Sequence, residues 1–302
     1  MIDYPAAQAV ALIVQTGSFE AAARALSITP SAVSQRVRQL EDRLGTVLIR
    51  RGAPCTATEQ GARLCRHIEQ VGLLEGDLLQ HLPGMFDPLS ARVTLNIAVN
   101  ADSLGSWFLP AVVAYTRHAT PLLNIDIDDQ DHTADWLRRG QVVAAVTAHD
   151  TAVQGCRLRS LGRLRYHATA SPDYMRRHFP QGVTPAALAH APALRFNQKD
   201  RLQQDWVRKV FAQMIELPTH WLPSTQSFVD GTLAGMGWGM NPAKLVEAHL
   251  ADGRLVEMVP GTYLDTPLYW QVSKLAADRL APLSDEVCKA AKRALIQDVQ
   301  TS

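Results

Sequence analysis

Residues 17–51 read GSFEAAARALSITPSAVSQRVRQLEDRLGTVLIRR, and the sense of the whole chain depends on this stretch. Ser18 stands where an N-cap belongs, ahead of Phe19, Ala22, Ala23 and Leu26 at helical spacing. Thr29 and Pro30 repeat the start signal, a capping hydroxyl and then a proline in the first helical position, and open a helix to about Leu44 that Gly45 ends. Upstream, Tyr4 to Gln15 carries Ala9, Leu12 and Ile13 at helical spacing, with Gly17 as its stop. The helix after Thr29 separates into faces: Val33, Val37, Leu40 and Leu44 form a stripe expected to be buried, while Ser31, Ser34, Gln35 and Arg38 share another face. Short hydroxyls let a helix approach a groove closely, Gln can read adenine, and Arg can read guanine or hold phosphate. Val47 to Arg51 then reads as a strand, so the pattern is helix-turn-helix followed by a wing.

A formal net charge of +1 gives no global attraction for nucleic acid, so any such role rests on local clustering. The clustering is present: Arg24, Arg36, Arg38, Arg43, Arg50 and Arg51 face only Glu41 and Asp42 between residues 24 and 51. No lysine precedes Lys199, so every basic side chain here is the fork-shaped guanidinium suited to phosphate and guanine. A GC-rich genome would produce the same arginine bias. The residues expected to contact DNA are Ser18, Thr29, Pro30, Ser31, Ser34, Gln35, Arg36, Arg38, Arg50 and Arg51.

These residues carry a resemblance. Gly17-Ser18-Phe19, Ala21-Ala22, Leu26, Ser31-Ala32-Val33-Ser34, Gln39-Leu40-Glu41, Leu44-Gly45, Leu48, Arg50 and Thr58 to Gly61 resemble the winged helix-turn-helix of LysR-type transcriptional regulators. Ala57 departs from the pattern, since the family usually has Leu there. The resemblance implies a recognition helix in the major groove, a wing on the backbone, a long dimerisation helix and a C-terminal effector domain.

Thr58 to Leu82 fits the third part. Leu64, Ile68, Val71, Leu74, Leu78 and Leu82 make one apolar seam along a helix of about seven turns. A helix with a single apolar stripe needs a partner, and a dimer built on it would set the separation of two recognition helices. Pro83-Gly84 breaks the helix, and residues 85–92 read as a hinge.

Beyond the hinge, strands and helices alternate. Val93 to Val99, Leu123 to Ile127 and Val142 to Thr147 are expected strands, with Ser106 to Tyr115 and Thr133 to Arg139 as helices between them. A second set includes helices at Asp173 to His178, Arg201 to Met214 and Ser227 to Ala234, and strands at Ala193 to Phe196 and Trp238 to Met240. Leu268 to Val272 then returns as a strand, and Leu283 to Leu295 as a closing helix. The expected fold is α/β with an all-α N-terminal part: a winged helix-turn-helix over residues 1–60, a dimerisation helix over 58–84, and a two-lobed effector domain like periplasmic binding proteins. Lobe I takes residues 93–164 and 268–302, and lobe II residues 165–267.

In open α/β sheets, ligands bind beyond the carboxyl ends of strands, where helix N-termini present N–H groups. Asn100, Ala101, Asp102 and Ser103 follow the first strand, and Ser224, Thr225, Gln226 and Ser227 precede a helix of the second lobe. Hydroxyls and N–H groups suit a carboxylate, whereas Asp102 repels an anion and attracts an ammonium, so an amphoteric ligand such as an amino acid fits. Asp102 could equally complement its own helix dipole. Asp128, Asp129 and Asp131 extend the negative field toward a cationic side chain, or else form a solvated acidic turn. Thr147, ending the third strand, is expected in the cleft wall.

Leu95 to Leu104, Trp107 to Pro110, Leu137 to Gly140, Val142 to Val146 and Leu268 to Trp270 are similar to the ArgP/LysG subgroup of the same family, as are Thr58 to Gly61 and Val71 to Glu75. That subgroup senses basic amino acids and controls genes such as exporters. It implies lysine or arginine as effector, with no cofactor. The implied partners are an operator in double-stranded DNA, further copies of the chain in a dimer and then a tetramer, and RNA polymerase.

Other classes find less support. The ten histidines are scattered with no H-E-x-x-H or other metal spacing, and no G-x-S-x-G elbow is present, so neither an enzyme nor a metal site is expected. Gly235 to Gly239 is glycine-rich but follows a helix and enters a strand, the reverse of a dinucleotide loop. Cys55, Cys65, Cys156 and Cys288 form no C-x-x-C pair and read as reduced cytoplasmic thiols, with a redox-sensing pair as the alternative. The start carries no signal-peptide pattern and no later run is apolar for 18 residues, so a cytoplasmic, nucleoid-associated protein without membrane contact is expected. A ligand-binding protein with no DNA role, a regulator of this family answering another small ligand, and a low-specificity chromosome binder remain as alternatives.

Overall fold

The computed structural model describes residues 2–80, 94–117, 121–128 and 133–297. The chain forms two compact units, Met1–Val93 and Thr94–Ser302. The expected hinge at 85–92, Leu82 of the seam, Asp129 and Asp131 lie outside the described residues.

The first unit contains α1 (Tyr4–Thr16), α2 (Phe19–Ala25), α3 (Pro30–Leu44), a short antiparallel pair β1 (Ile49–Arg50) and β2 (Thr56–Ala57), and α4 (Glu59–Gln80). Local chemistry sets each boundary. Ser18 Oγ accepts from Ala21 N at 3.0 Å and Thr29 Oγ1 from Ala32 N at 3.2 Å, so both hydroxyls cap the helices they precede. Gly17 takes the left-handed conformation at φ 75° that closes α1. The core gathers Ile13, Val10, Ala22, Val33, Val37, Leu40 and Leu48. Leu44 departs from the expected stripe: it is 52% exposed, because the stripe drifts off the core in the last turn of α3, beyond Leu40.

The seam of α4 also divides. Leu64 and Ile68 pack against the core of their own unit, and Cys65 beside them is buried. Leu74, by contrast, is 56% exposed. The first turns of α4 therefore serve their own unit, whereas Leu74, further along, turns to solvent.

The second unit is built on a seven-stranded sheet and a separate two-stranded one, with flanking helices. β3 (Thr94–Val99) pairs in parallel with β4 (Leu122–Ile127) and with β5 (Ala144–Thr147). After β3 the chain is helical from α5 (Ala101–Ser103) through a π-helical turn (Leu104–Phe108) into α6 (Leu109–Thr116), and α7 (Thr133–Arg138) follows β4. Helix thus begins five residues before the expected Ser106.

A strand absent from the sequence reading, β6 (Cys156–Ala170), is the longest in the sheet and joins the two lobes. The second lobe adds α8 (Pro172–His178), α9 (Pro185–Leu188), β7 (Ala193–Arg195), α10 (Leu202–Phe211), β8 (Thr219–Trp221), α11 (Thr225–Leu233), β9 (Gly239–Pro242), α12 (Ala243–Ala251) and β10 (Val256–Glu257). The return strand β11 (Tyr263–Ser273) starts five residues before the expected Leu268 and runs antiparallel to β6 along nearly its whole length, from Tyr263–His167 to Ser273–Cys156. Its register shifts between Leu268 and Tyr269, opposite Gly162 at φ 108°. The closing helix α13 (Ala281–Ala294) packs on α6.

Candidate nucleic-acid interface and effector cleft

In the first unit, the polar face of α3 is available to solvent. Ser31, Gln35 and Arg38 are exposed and Ser34 and Arg36 are half-buried, while Val33, Val37 and Leu40 hold the opposite face in the core. Pro30 is exposed at the first turn, and the Ser31 hydroxyl lies 2.9 Å from the Thr29 hydroxyl. Ser18 and Thr29, expected at the interface, thus spend their hydroxyls on caps. Arg50 and Arg51 are exposed on and beside β1, and the Arg51 guanidinium lies over the Phe19 ring at 5.3 Å.

The wing is tied to the helix. Glu41 on α3 accepts the backbone N–H of Leu48 at 2.7 Å and of Ile49 at 3.3 Å, through one carboxylate oxygen. From the other side, Thr58 Oγ1 accepts from Gly61 N at 3.1 Å and donates to the Val47 carbonyl at 2.7 Å. Gly61 permits this: a Cβ there would sit 1.9 Å from the Leu48 carbonyl oxygen. Helix, strand pair and the start of α4 are therefore held as one body, with the arginines on its surface.

The second unit contains a cleft of about 400 Å³ between the ends of β3 and β4 on one side and β7, α10, α11 and β9 on the other. Asn100, Ala101 and Asp102 line it, as expected, and so do Asp128 and Thr225. Asp102 is central to the arrangement. Its Oδ2 accepts from the Tyr166 hydroxyl at 2.9 Å and its Oδ1 from the Thr225 hydroxyl at 3.0 Å, so one carboxylate joins a lobe I strand end, the connecting strand and a lobe II helix start. Asp128 Oδ2 accepts from Trp136 Nε1 at 2.8 Å.

Other expected cleft residues lie elsewhere. Ser103 is fully buried behind the lining. Thr147 is also fully buried; its hydroxyl accepts from His149 N at 3.2 Å and from Gln271 Nε2 at 3.3 Å, and Ala148 takes the wall position. At a strand end the side chain faces the core or the opening by register alone, and here the register turns Thr147 inward. Ser224 caps α11 by accepting from Ser227 N at 3.3 Å, and exposed Gln226 bonds Asp230 at 3.1 Å, so of those four residues only Thr225 meets the cleft.

The sequence reading missed one wall, the loop between β7 and α10. Phe196, Lys199, Asp200 and Arg201 line the cleft from there. Asp200 organises the loop by accepting from Phe196 N at 2.9 Å and Leu202 N at 3.0 Å, and its backbone carbonyl takes the Arg195 guanidinium. Burial pushes the Asp200 carboxyl above the ordinary carboxylate range, against the opposing pull of those N–H groups and of Arg195. Asn241 on β9 was missed too. It is fully buried, its amide donates to Thr169 at 2.9 Å and Thr232 at 3.2 Å, and its carbonyl oxygen has no partner among the described residues. A signal existed: Asn241 follows an apolar strand and precedes a proline, at a carboxyl end.

Residues 6–62 match the family described as "Bacterial regulatory helix-turn-helix protein, lysR family", and residues 90–286 match the "LysR substrate binding domain". The chain belongs to the LysR family of transcriptional regulators. Along its full length it is similar to the HTH-type transcriptional regulator LysG of Mycobacterium tuberculosis, at 44% identity over 96% of this chain and 94% of that one. The solved structure of ArgP from Mycobacterium tuberculosis is 42% identical, with a TM-score of 0.81 over 99% of this chain and 100% of that one. LysG from Corynebacterium glutamicum with bound effector Arg is 34% identical, with a TM-score of 0.69 over 98% and 100%. The protein is thus a LysR-type regulator of the LysG/ArgP subgroup and no enzyme. Its helix-turn-helix is the DNA-binding part and its two-lobed α/β domain the effector part. Among the described residues no group of His, Cys, Asp and Glu could hold a metal ion, and no helix is long and apolar enough to cross a membrane.

Proposed function

We propose that this LysR-type regulator senses a basic amino acid, lysine or arginine, in the cleft of its effector domain and controls genes of amino acid export or metabolism. One observation carries the ligand class: the cleft offers acceptors. Asp102, Asp128 and the buried carbonyl oxygen of Asn241 all line it. A ligand rich in N–H donors at both ends satisfies such a set, and a purely anionic or aromatic acid does not. Arg201 and the N-terminus of α11 supply the complement for an α-carboxylate. The bound Arg of the Corynebacterium glutamicum protein agrees with this reading.

In this reading Ser31, Ser34, Gln35 and Arg38 face base edges, Arg36, Arg50 and Arg51 face phosphates, and Ser18, Thr29 and Pro30 act by placing the helices. The later turns of α4 pair two chains, two pairs form a tetramer, and the lobes meet where β6 and β11 cross, near residues 165 and 267. The ligand shifts the equilibrium between two assemblies that differ in affinity for it, and RNA polymerase reads the outcome.

Calorimetry of the full chain with lysine, arginine, a neutral amino acid and an aromatic acid tests the ligand class. Heat from a basic amino acid supports it; heat from the aromatic acid alone overturns it. For DNA, Arg38→Ala should cost about 1–3 kcal/mol on the operator and far less on random DNA, measured by a binding titration on both. Equal losses on the two would mean that Arg38 touches only the backbone.

A further inference from the structure

We propose that Lys199 is a built-in competitor for the cationic end of the effector, and so sets the concentration at which the sensor responds. This rests on the reading of the cleft as a basic amino acid site. Lys199 comes from the β7–α10 loop of lobe II, and its Nζ lies 3.8 Å from Asp128 Oδ1 at the end of β4 in lobe I. Both residues line the cleft. An ammonium on a lysine side chain is thus placed against the carboxylate that a ligand's ammonium or guanidinium would seek.

The two ends of this contact are held differently. The backbone of Lys199 is fixed, because Asn197 Oδ1 accepts from Lys199 N at 2.8 Å and from Asp200 N at 3.2 Å, and Asp200 ties the rest of the loop. Its side chain is 54% exposed, with a flexible stem that can swing into solvent at little cost. Asp128 is oriented independently, by the Trp136 indole on its other oxygen. The carboxylate therefore keeps its position when the lysine leaves, and an incoming cation finds the same acceptor. A guanidinium is more weakly hydrated than an ammonium and can take a carboxylate with two N–H groups, which lets a ligand displace Lys199.

An ion pair this exposed opposes the ligand only modestly. Removing the competitor should therefore tighten arginine binding by about two- to fivefold. A neutral isostere such as citrulline leaves the lysine in place, so it gains nothing from the removal. Calorimetry of full-length wild type, Lys199→Met and Lys199→Arg with arginine and with citrulline is the test, with unfolding scans to confirm the fold of each variant. The expected result is tighter arginine binding in Lys199→Met, a rise in the arginine-to-citrulline affinity ratio, and arginine binding no tighter than wild type in Lys199→Arg, whose guanidinium competes at least as well. In an Asp128→Asn background the Lys199→Met gain should vanish, because the competition runs through that carboxylate.

Unchanged arginine affinity in Lys199→Met overturns the proposal. Weaker binding of arginine and citrulline alike overturns it as well, and shows Lys199 holding the ligand's carboxylate. Wild type that binds neither lysine nor arginine brings down the ligand reading itself, a result distinct from either.

Discussion

The DNA-reading unit and the effector cleft are built on opposite plans. In the reader, residues close in sequence hold one another: Ser18 to Ala21, Thr29 to Ala32, Thr58 to Gly61, Glu41 to Leu48. In the cleft, the decisive contacts join distant residues, Asp102 with Tyr166 and Thr225, and Asp128 with Lys199. Short-range contacts need little chain closure to form, whereas the cleft's contacts depend on both lobes being in place.

The largest test of this contrast is Gly61→Ala. With a Cβ destined for 1.9 Å from the Leu48 carbonyl, the wing must detach or the start of α4 must shift. The expected cost is about 2–3 kcal/mol or more in thermal unfolding of the first unit, with operator binding lost and effector binding retained. Loss of both would show that the two plans are not separable.

Asp102→Asn probes the other side. It keeps the size of the side chain but weakens the bonds from Tyr166 and Thr225, so arginine affinity should fall by about 1.5–3 kcal/mol in calorimetry. DNA affinity without ligand should stay unchanged. Thr29→Ala removes a single cap and should cost about 1 kcal/mol of stability, read from denaturant unfolding. Cys65 should show the smallest effect. Burial, with help from the Glu69 charge, pushes its thiol up to about 11, so it should resist alkylation at pH 8 in the folded chain and react once unfolded. Mass spectrometry of the Cys65 peptide checks this, and fast native labelling would revive a redox-sensing role.

The same contrast explains what could be read from sequence. Caps and helix stops are local chemistry, so Ser18, Thr29, Gly17 and Gly45 could be placed without coordinates, although Ser224, read as a ligand contact ahead of a helix at Ser227, proved to be the cap of a helix that starts at Thr225. The strand ends that carry Asn100, Asp102 and Asp128 could be found for the same reason. The face that a strand-end side chain presents depends on distant pairing, and Thr147 went the wrong way. Helix α5 was missed because Asn100 makes no side-chain cap and a π-helical turn follows, which spoils the 3.6-residue period. The Lys199 wall was missed because Asn197-Gln198-Lys199-Asp200-Arg201 looks like any solvated turn. Only the fold places it opposite Asp128. Strand β6 hid behind its own arginines, since Arg157, Arg159, Arg163 and Arg165 interrupt the apolar signal of a strand that is half exposed at its start.

The carboxylate of Glu41 has one more consequence. By gripping the amide of Ile49 in the wing's first strand and that of Leu48 just before it, it ties the recognition helix to the wing. A stamp of fixed shape cannot be adjusted to a different groove; it can only be pressed down, lifted, or set at a new distance from its twin. Under the proposed function, what the effector changes is the spacing between footprints on the DNA, and a footprinting ladder with and without ligand tests it.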